Sequence, residues 1–228
     1  NSAVKAGIFK NNKPFRIIRF NQYIHQRILH LVLQYRIRNM IVSSVKGSKI
    51  PGVKRLKRFL NHYIALSTDT PLPLKNLYQT PETLGKDRLA AVIGGTSLFP
   101  DSNVLVIDAG TAITFDFINQ KKEYLGGNIS PGLTMRYQAL YQFTNQLPLL
   151  QKQEDDELLG ENTNKAIVRG VQNGIIFEIN NYIESLSAKN GNITTILTGG
   201  DSNFFDNKLK YPIFVEPDLV LIGLNKIL

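Results

Sequence analysis

The stretch that most constrains this chain is Asn103 to Ile118, NVLVIDAGTAITFDFI. An apolar run, Val104 to Ile107, ends abruptly in Asp108-Ala109-Gly110-Thr111, and an alternating run follows from Ala112 to Ile118. Four consecutive apolar residues predict a buried strand, and strict alternation predicts a strand with one covered face. The whole stretch therefore predicts a β-hairpin with an unusual turn. Asp108 can hold a cation. Gly110, without a Cβ, lets the backbone come close to a ligand. Thr111 offers a hydroxyl and a backbone N–H to an anion. An ordinary hairpin whose Asp108 caps the turn fits the same residues equally well.

Composition narrows the classes. With 43% hydrophobic and 20% charged residues in a chain of 228, the pattern is that of a globular protein with room for one large domain or two small ones. No apolar run approaches the roughly 18 residues needed to cross a bilayer, so no membrane role is expected. The absence of cysteine excludes a disulfide scaffold, a thiolate metal site and a cysteine nucleophile, and suits a reducing cytoplasm. His25, His30 and His62 carry no HExxH pattern, which argues against a histidine zinc site. The chain starts at Asn1 without a methionine or a signal-peptide pattern, so its start reads as truncated.

The net charge of +9 is unevenly placed: residues 1–100 hold 17 Lys and Arg against 3 Asp and Glu. The densest piece is Lys54-Arg55-Leu56-Lys57-Arg58. It fits the solvated face of an amphipathic helix whose apolar side is Leu56, Phe59 and Leu60. No nucleic-acid motif accompanies it, so nucleic acid is not the expected partner.

Along the chain, residues 1–9 and Phe15 to Phe20 predict a hairpin, and 21–38 a helix with Ile24, Ile28, Leu31 and Tyr35 on one face. Met40 to Val45 predicts a strand, about 51–62 a second helix, about 63–67 a strand and Asp87 to Leu98 a helix. After the 103–118 hairpin come a strand at 123–128, the loop Gly126 to Gly132, and a helix at about 132–144. The acidic run Glu154-Asp155-Asp156-Glu157 predicts a solvated helix start. A long helix at about 163–188 carries Gly170 and Gly174, whose helix cost of about 1 kcal/mol each predicts close packing against another element. A strand at Ile193 to Leu197 runs into Thr198-Gly199-Gly200-Asp201, and Pro217 to Leu228 predicts a terminal helix.

The two halves repeat. NSAVKAGIF laid on TAITFDFIN aligns two alternating second strands, so the first copy lacks its leading strand and turn. The expected organisation is α/β, with 1–100 and 101–228 as two like domains around a cleft. The acid turn at 108–111 and the glycine turns Gly126-Gly127 and Gly199-Gly200 resemble the acetate and sugar kinase, heat-shock ATPase and actin superfamily. No P-loop GxxxxGK[ST] is present. YQTPETLGKDRLAA at 78–91, GGNISPG at 126–132, ENTNKAIVRGVQNG at 161–174, LTGGD at 197–201 and PDLVLIGL at 217–224 are together similar to type III pantothenate kinase, over nearly the whole chain.

That resemblance implies two duplicated ribonuclease H-like (actin-like ATPase) domains around a nucleotide cleft. It also implies ATP-dependent phosphorylation of pantothenate to 4'-phosphopantothenate, the first step of coenzyme A synthesis, in a cytoplasmic homodimer. By motif match Asp87 is the general base, and Arg88 holds the pantothenate carboxylate. Tyr78, Gly85 and Lys86 line the substrate site, with Thr163 reaching over from a second subunit. Lys86 departs from the small residue often seen at its position. Asn1, Ser2, Ala3, Val4, Lys5 and Thr111 lie along the ATP phosphates. Asp108 ligates a monovalent cation (K+ or NH4+), and Mg2+ arrives with ATP. The resemblance further implies an acid and a glycine just ahead of Asn1. Two competitors are a transcription accessory protein on the same scaffold and a superfamily kinase for another small hydroxyl compound. The Tyr78 and Gly85–Arg88 motifs argue against the second.

Overall fold

The computed structural model describes residues 4–43, 53–155 and 157–228, the first two of the middle span by backbone only. They divide into two units, Asn1–Leu98 with Leu219–Leu228, and Phe99–Asp218. The first break falls between Leu98 and Phe99, and the last ten residues group with the first unit.

The second unit is built on the stretch that dominates the sequence. Strands β6 (Asn103–Ala109), β7 (Ala112–Ile118) and β8 (Glu123–Pro131) form an antiparallel meander, with Val104 opposite Ile118 and Asp108 opposite Thr114. β9 (Ile193–Thr198) lies parallel to β6 on its other side, and β10 (Phe214–Val215) parallel to β9, giving the order β10-β9-β6-β7-β8. Val104 to Ile107 are fully buried, as a central strand covered on both faces requires. Helices α4 (Leu133–Phe143) and α5 (Thr163–Asn190) cover one face. Ile167, Val171, Ile175, Ile179 and Ile183 recur at helical spacing down α5 and pack on Leu105, Ile107, Phe115 and Phe117 of the sheet. A one-turn helix, α6 (Ser202–Phe205), lies between β9 and β10.

Gly126-Gly127 is not a loop but part of β8. Phe117 pairs Gly126 and Ile118 pairs Tyr124, so Leu125 is an extra residue, and Gly126 takes the positive φ (119°) that the bulge needs. The acidic run lies in an irregular segment, not a helix start; Asp156 is outside the described residues. Of its acids, Asp155 pairs with Arg169, as described below.

In the first unit, β1 (Val4–Lys10) and β2 (Lys13–Phe20) form a hairpin whose turn, Asn11-Asn12, has two positive φ angles, 51° and 61°. Asparagine tolerates that region, and the turn twist suits a two-residue hairpin. Helix α1 (Ile24–Gln34) packs Ile28 and Val32 against Phe20 and Leu56. β3 (Asn39–Val42) and β4 (His62–Ala65) pair in parallel. The helix expected over 51–62 is only α2 (Val53–Leu56) and a 3-10 turn at Lys57–Phe59; residues 51 and 52 are outside the described residues. Leu56 alone of its apolar side is fully buried, and Phe59 is 42% exposed, because the chain turns into β4 instead of continuing a helical face. A two-residue strand, β5 (Lys75–Asn76), precedes α3 (Lys86–Leu98), and α7 (Leu219–Ile227) closes the unit.

The α3–α7 crossing rests on two glycines. A Cβ at Gly94 would overlap the Leu219 carbonyl oxygen, and one at Gly223 the Ala90 carbonyl oxygen. By contrast, among the described residues nothing lies within 4 Å of a Cβ at Gly170, and only the Arg136 guanidinium comes within reach at Gly174, at 3.7 Å. Among those residues the expected close packing does not occur there, so these glycines cost helix stability with no contact in return.

Opposite signs follow for two alanine substitutions. Gly170→Ala gains up to about 1 kcal/mol from helix propensity. Gly223→Ala loses about 1–3 kcal/mol by forcing the helices apart. Urea denaturation of both variants checks this, and a stabilised Gly223→Ala contradicts the crossing.

Candidate active site

In the second unit, the Asp108–Thr111 turn is held by backbone from two other loops. Gly132 N–H donates to the Thr111 carbonyl (3.1 Å) and Asp201 N–H to the Ala109 carbonyl (2.9 Å), while Gly110 N–H closes the turn on Ala112 (3.2 Å). These approaches need glycine. A Cβ at Gly132 would overlap the Gly110 carbonyl oxygen, and one at Gly199 the Asp108 carboxylate; Gly199 also sits at φ 98°. The Asp108 Oδ1 atom lies 3.2 Å from where a Gly110 Cβ would be. The carboxylate thus occupies the room that Gly110 and Gly199 leave, half-buried, with Thr111 exposed beside it. Ser202 Oγ donates to the Gly199 carbonyl at 2.9 Å and fixes the second glycine turn. The turn is a rigid oxygen- and amide-lined element suited to an anion and its counter-cation. Among the described residues no three His, Asp or Glu side chains gather as a metal site, so any cation here would rely on Asp108 with carbonyl oxygens and water.

In the first unit, a second group forms at the start of α3. Arg88 is buried, 8% exposed, with its guanidinium 5.8 Å from the centre of the Tyr78 ring. The Tyr78 backbone is fixed by its N–H donating to Asn76 Oδ1 at 3.0 Å. Asp87 stands exposed in the first turn, its Oδ1 accepting from Arg88 N–H at 2.9 Å. A Cβ at Gly85 would come within 2.6 Å of that oxygen. One carboxylate oxygen therefore serves an N–H of the first helical turn. Tyr78, Gly85, Asp87 and Arg88 come together, with Lys86 half-buried among them.

The remaining expected residues stand on other elements. Val4 and Lys5 are half-buried on β1, and Thr163 is exposed at the first residue of α5 beside its cap Asn162, which accepts from Lys165 N–H at 3.0 Å. Asn1, Ser2 and Ala3 are outside the described residues. His25 and His30 lie on α1 and His62 on β4.

One organising residue escapes the sequence reading. Arg169, 4% exposed on α5, donates from Nε to both carboxylate oxygens of Asp155 (3.0 and 2.9 Å) and from Nη1 to the Leu159 carbonyl, with Glu161 at 3.3 Å. Its hydrogen bond holds the Asp155 carboxyl below the usual carboxylate range. Gln172 Oε1 accepts from Gln153 N–H (2.9 Å) and Tyr137 (3.1 Å), and Asn173 reaches Glu157. Together they strap the acidic segment along α5, just ahead of Thr163. The one available signal was an arginine among the apolar residues of α5, with acids 8 and 14 residues earlier.

The type III pantothenate kinase family model matches residues 1–185. A type III pantothenate kinase of Bacteroides fragilis is 40% identical over 228 residues, covering 100% of this chain and 94% of that one. Among solved structures, a protein assigned to the Baf family of transcriptional activators from Campylobacter jejuni superposes with TM-score 0.61 at 23% identity, covering 93% of this chain and 89% of that one. One assigned as an N-acetylmannosamine kinase, from Listeria monocytogenes, does so with TM-score 0.53 at 12% identity, covering 99% of this chain and 94% of that one. The chain shares its α/β fold with these structures.

Gly199→Ala tests the glycine-lined turn. It is expected to lower the denaturation midpoint and the affinity for ATP together, because the Cβ meets both the Asp108 carboxylate and the Ala109 carbonyl. Isothermal titration with ATP and a thermal melt measure the two, and a variant unchanged in both contradicts the geometry.

Proposed function

The chain belongs to the type III pantothenate kinase family, the enzymes that phosphorylate pantothenate in the first step of coenzyme A synthesis, and we propose that Asp87 is its general base. The observation that carries this is the group at the start of α3: an exposed carboxylate with one oxygen committed to the helix, beside a buried arginine under an aromatic ring. An alcohol attacks a phosphoryl group poorly unless its proton is accepted at hydrogen-bond distance. The second Asp87 oxygen accepts it. Arg88 offers a fork of donors to the pantothenate carboxylate, and burial against Tyr78 holds that fork in one orientation. Gly85 and Lys86 line the same site.

The Asp108–Thr111 turn takes the ATP phosphates in this reading, as do residues 1–3, Val4 and Lys5. Phosphoryl transfer needs positioning and charge neutralisation more than covalent chemistry, and a turn fixed by Gly132 and Gly199 costs nothing to reorganise when charge develops. Asp108 with nearby carbonyls holds a potassium or ammonium ion. Mg2+ comes bound to ATP and keeps most of its waters. Thr163 serves the site of a second subunit in a homodimer, where the Arg169 strap fixes its approach. The repeated element order of the two units supports a duplicated ribonuclease H-like domain, and a role in coenzyme A synthesis is consistent with the cytoplasm.

Asp87→Asn keeps the helix cap and removes the proton acceptor. It is expected to lower kcat by about 10²–10⁴-fold with the KM for ATP little changed, in a coupled assay of ADP formation with pantothenate. Wild-type kcat in that variant rules Asp87 out as base. Asp108→Asn is expected to abolish the response of rate to potassium; a full response in the variant removes the cation from that turn.

A further inference from the structure

The segment 151–162, between α4 and α5, has no helix or strand among its described residues. Leu158 and Leu159 on it are 62% and 79% exposed, so burial of these side chains does not set its path. Polar contacts set it, and they are unequal. Lys152 pairs with Asp201 and Glu154 with Lys208, but the Lys152 and Glu154 side chains are 45% and 80% exposed, and pairs so placed contribute little. Arg169 is different. Its side chain is 5% exposed and that of its partner Asp155 16%.

Arg169 follows Val168 among the buried residues of α5. An apolar residue of similar volume would pack there as well, without the cost of taking a charge out of water. The packing of α5 therefore does not call for a guanidinium. What the guanidinium does that a leucine cannot is reach several points of the segment at once. Nε donates to both oxygens of Asp155, and Nη1 meets the Leu159 carbonyl and Glu161. A planar fork of donors fixes its acceptors relative to one another. Asp155, Leu159 and Glu161 are thereby pinned to one point of α5. Gly160 brings the backbone closer still, since a Cβ there would overlap main-chain atoms of Lys165 and Ala166. Immediately after this segment the chain enters α5 at Thr163.

We propose that Arg169 is a positioning residue for the kinase reaction: by pinning Asp155, Leu159 and Glu161 it sets where Thr163 stands, and so how tightly pantothenate is held. This rests on Thr163 being a substrate contact, and it does not depend on the assignment of the catalytic base. Arg169 itself touches neither substrate in this scheme. Its hydrogen bonds end on the segment, and the effect reaches the substrate through Thr163. Asp87 and the Asp108 turn stand on other elements, so loosening the segment leaves the chemical step as it was. Binding that is equal in ground state and transition state is lost, which raises KM and spares kcat.

The test measures kcat and the KM for pantothenate and for ATP in the full chain carrying Arg169→Lys, Asp155→Asn, Thr163→Ala, or Asp155→Asn with Thr163→Ala. Arg169→Lys and Asp155→Asn are each expected to raise the KM for pantothenate by about tenfold, with kcat and the KM for ATP within about twofold of wild type. Once Thr163 is alanine, Asp155→Asn should add nothing, since both changes act through one contact. Glu154→Gln, which breaks only an exposed pair, should leave all three constants at wild type. Should Arg169→Lys fail to fold, Asp155→Asn and the double variant carry the comparison. If Thr163→Ala raises the KM and the Arg169 and Asp155 variants do not, the role of Arg169 falls and that of Thr163 survives. An unchanged KM in Thr163→Ala overturns both. An Asp155→Asn effect of the same size with and without Thr163, or one seen in kcat alone, makes Arg169 a stabilising residue only and overturns the proposal.

Discussion

Backbone lying directly on backbone is the constraint on which this structure depends. The Asp108 turn has its shape because Gly132 and Gly199 bring two other loops against its carbonyl oxygens with no side chain between. The α3–α7 crossing has its closeness for the same reason, through Gly94 and Gly223. A Cβ at any of these positions meets a main-chain oxygen or a fixed carboxylate, and main chain cannot rotate aside as a flexible side chain can. The apolar core supplies the bulk of the stability, but these contacts decide where the functional groups stand. They convert a hairpin turn of ordinary composition into a fixed array of donors and acceptors.

The two acids singled out in the sequence are placed in different circumstances, and that difference supports their separate roles. Asp108 is half-buried, wedged between glycines, and cannot follow a reacting proton. A fixed charge of that kind is suited to binding a counter-ion. Asp87 is exposed at a helix start with one oxygen tied to the Arg88 N–H. That bond orients the carboxylate without burying it, which is what a base must have if it is to meet a hydroxyl group. The same hydrogen bond explains why a simple helix cap and a catalytic base look alike in sequence: an aspartate in a first turn satisfies orphan N–H groups in either case.

Most strands and the long helices were legible because they obey one period throughout. Val104 to Ile107 reads as buried on both faces and is; the isoleucines of α5 fall on one stripe and form the core. The failures share a cause, which is that tertiary context overrode local pattern. Gly126-Gly127 read as a loop because two glycines usually break a strand, yet one extra residue at a bulge needs that freedom. Gly170 and Gly174 read as a packing face, but among the described residues nothing lies within 4 Å of a Gly170 Cβ. The segment after Gly52 had helical spacing, but its pairing with β3 drew it into β4 after little more than two turns. In the candidate site, the motif residues could be named, but not the strap held by Arg169, since a buried arginine gives no signal until its carboxylates are seen to fold back on it.

The last helix joins the first unit: α7 follows β10 of the second unit in sequence but packs with α3 in the first. Helices that cross this closely need a small residue at the contact. Gly94 and Gly223 supply it, one from each helix. A terminal helix packed on the first unit ties the last residues of the chain to α3, the helix that begins with Asp87. The acid at its first turn is thus carried on a helix locked by main-chain contact at Gly94, which supports the fixed placement that its proposed role as base asks for.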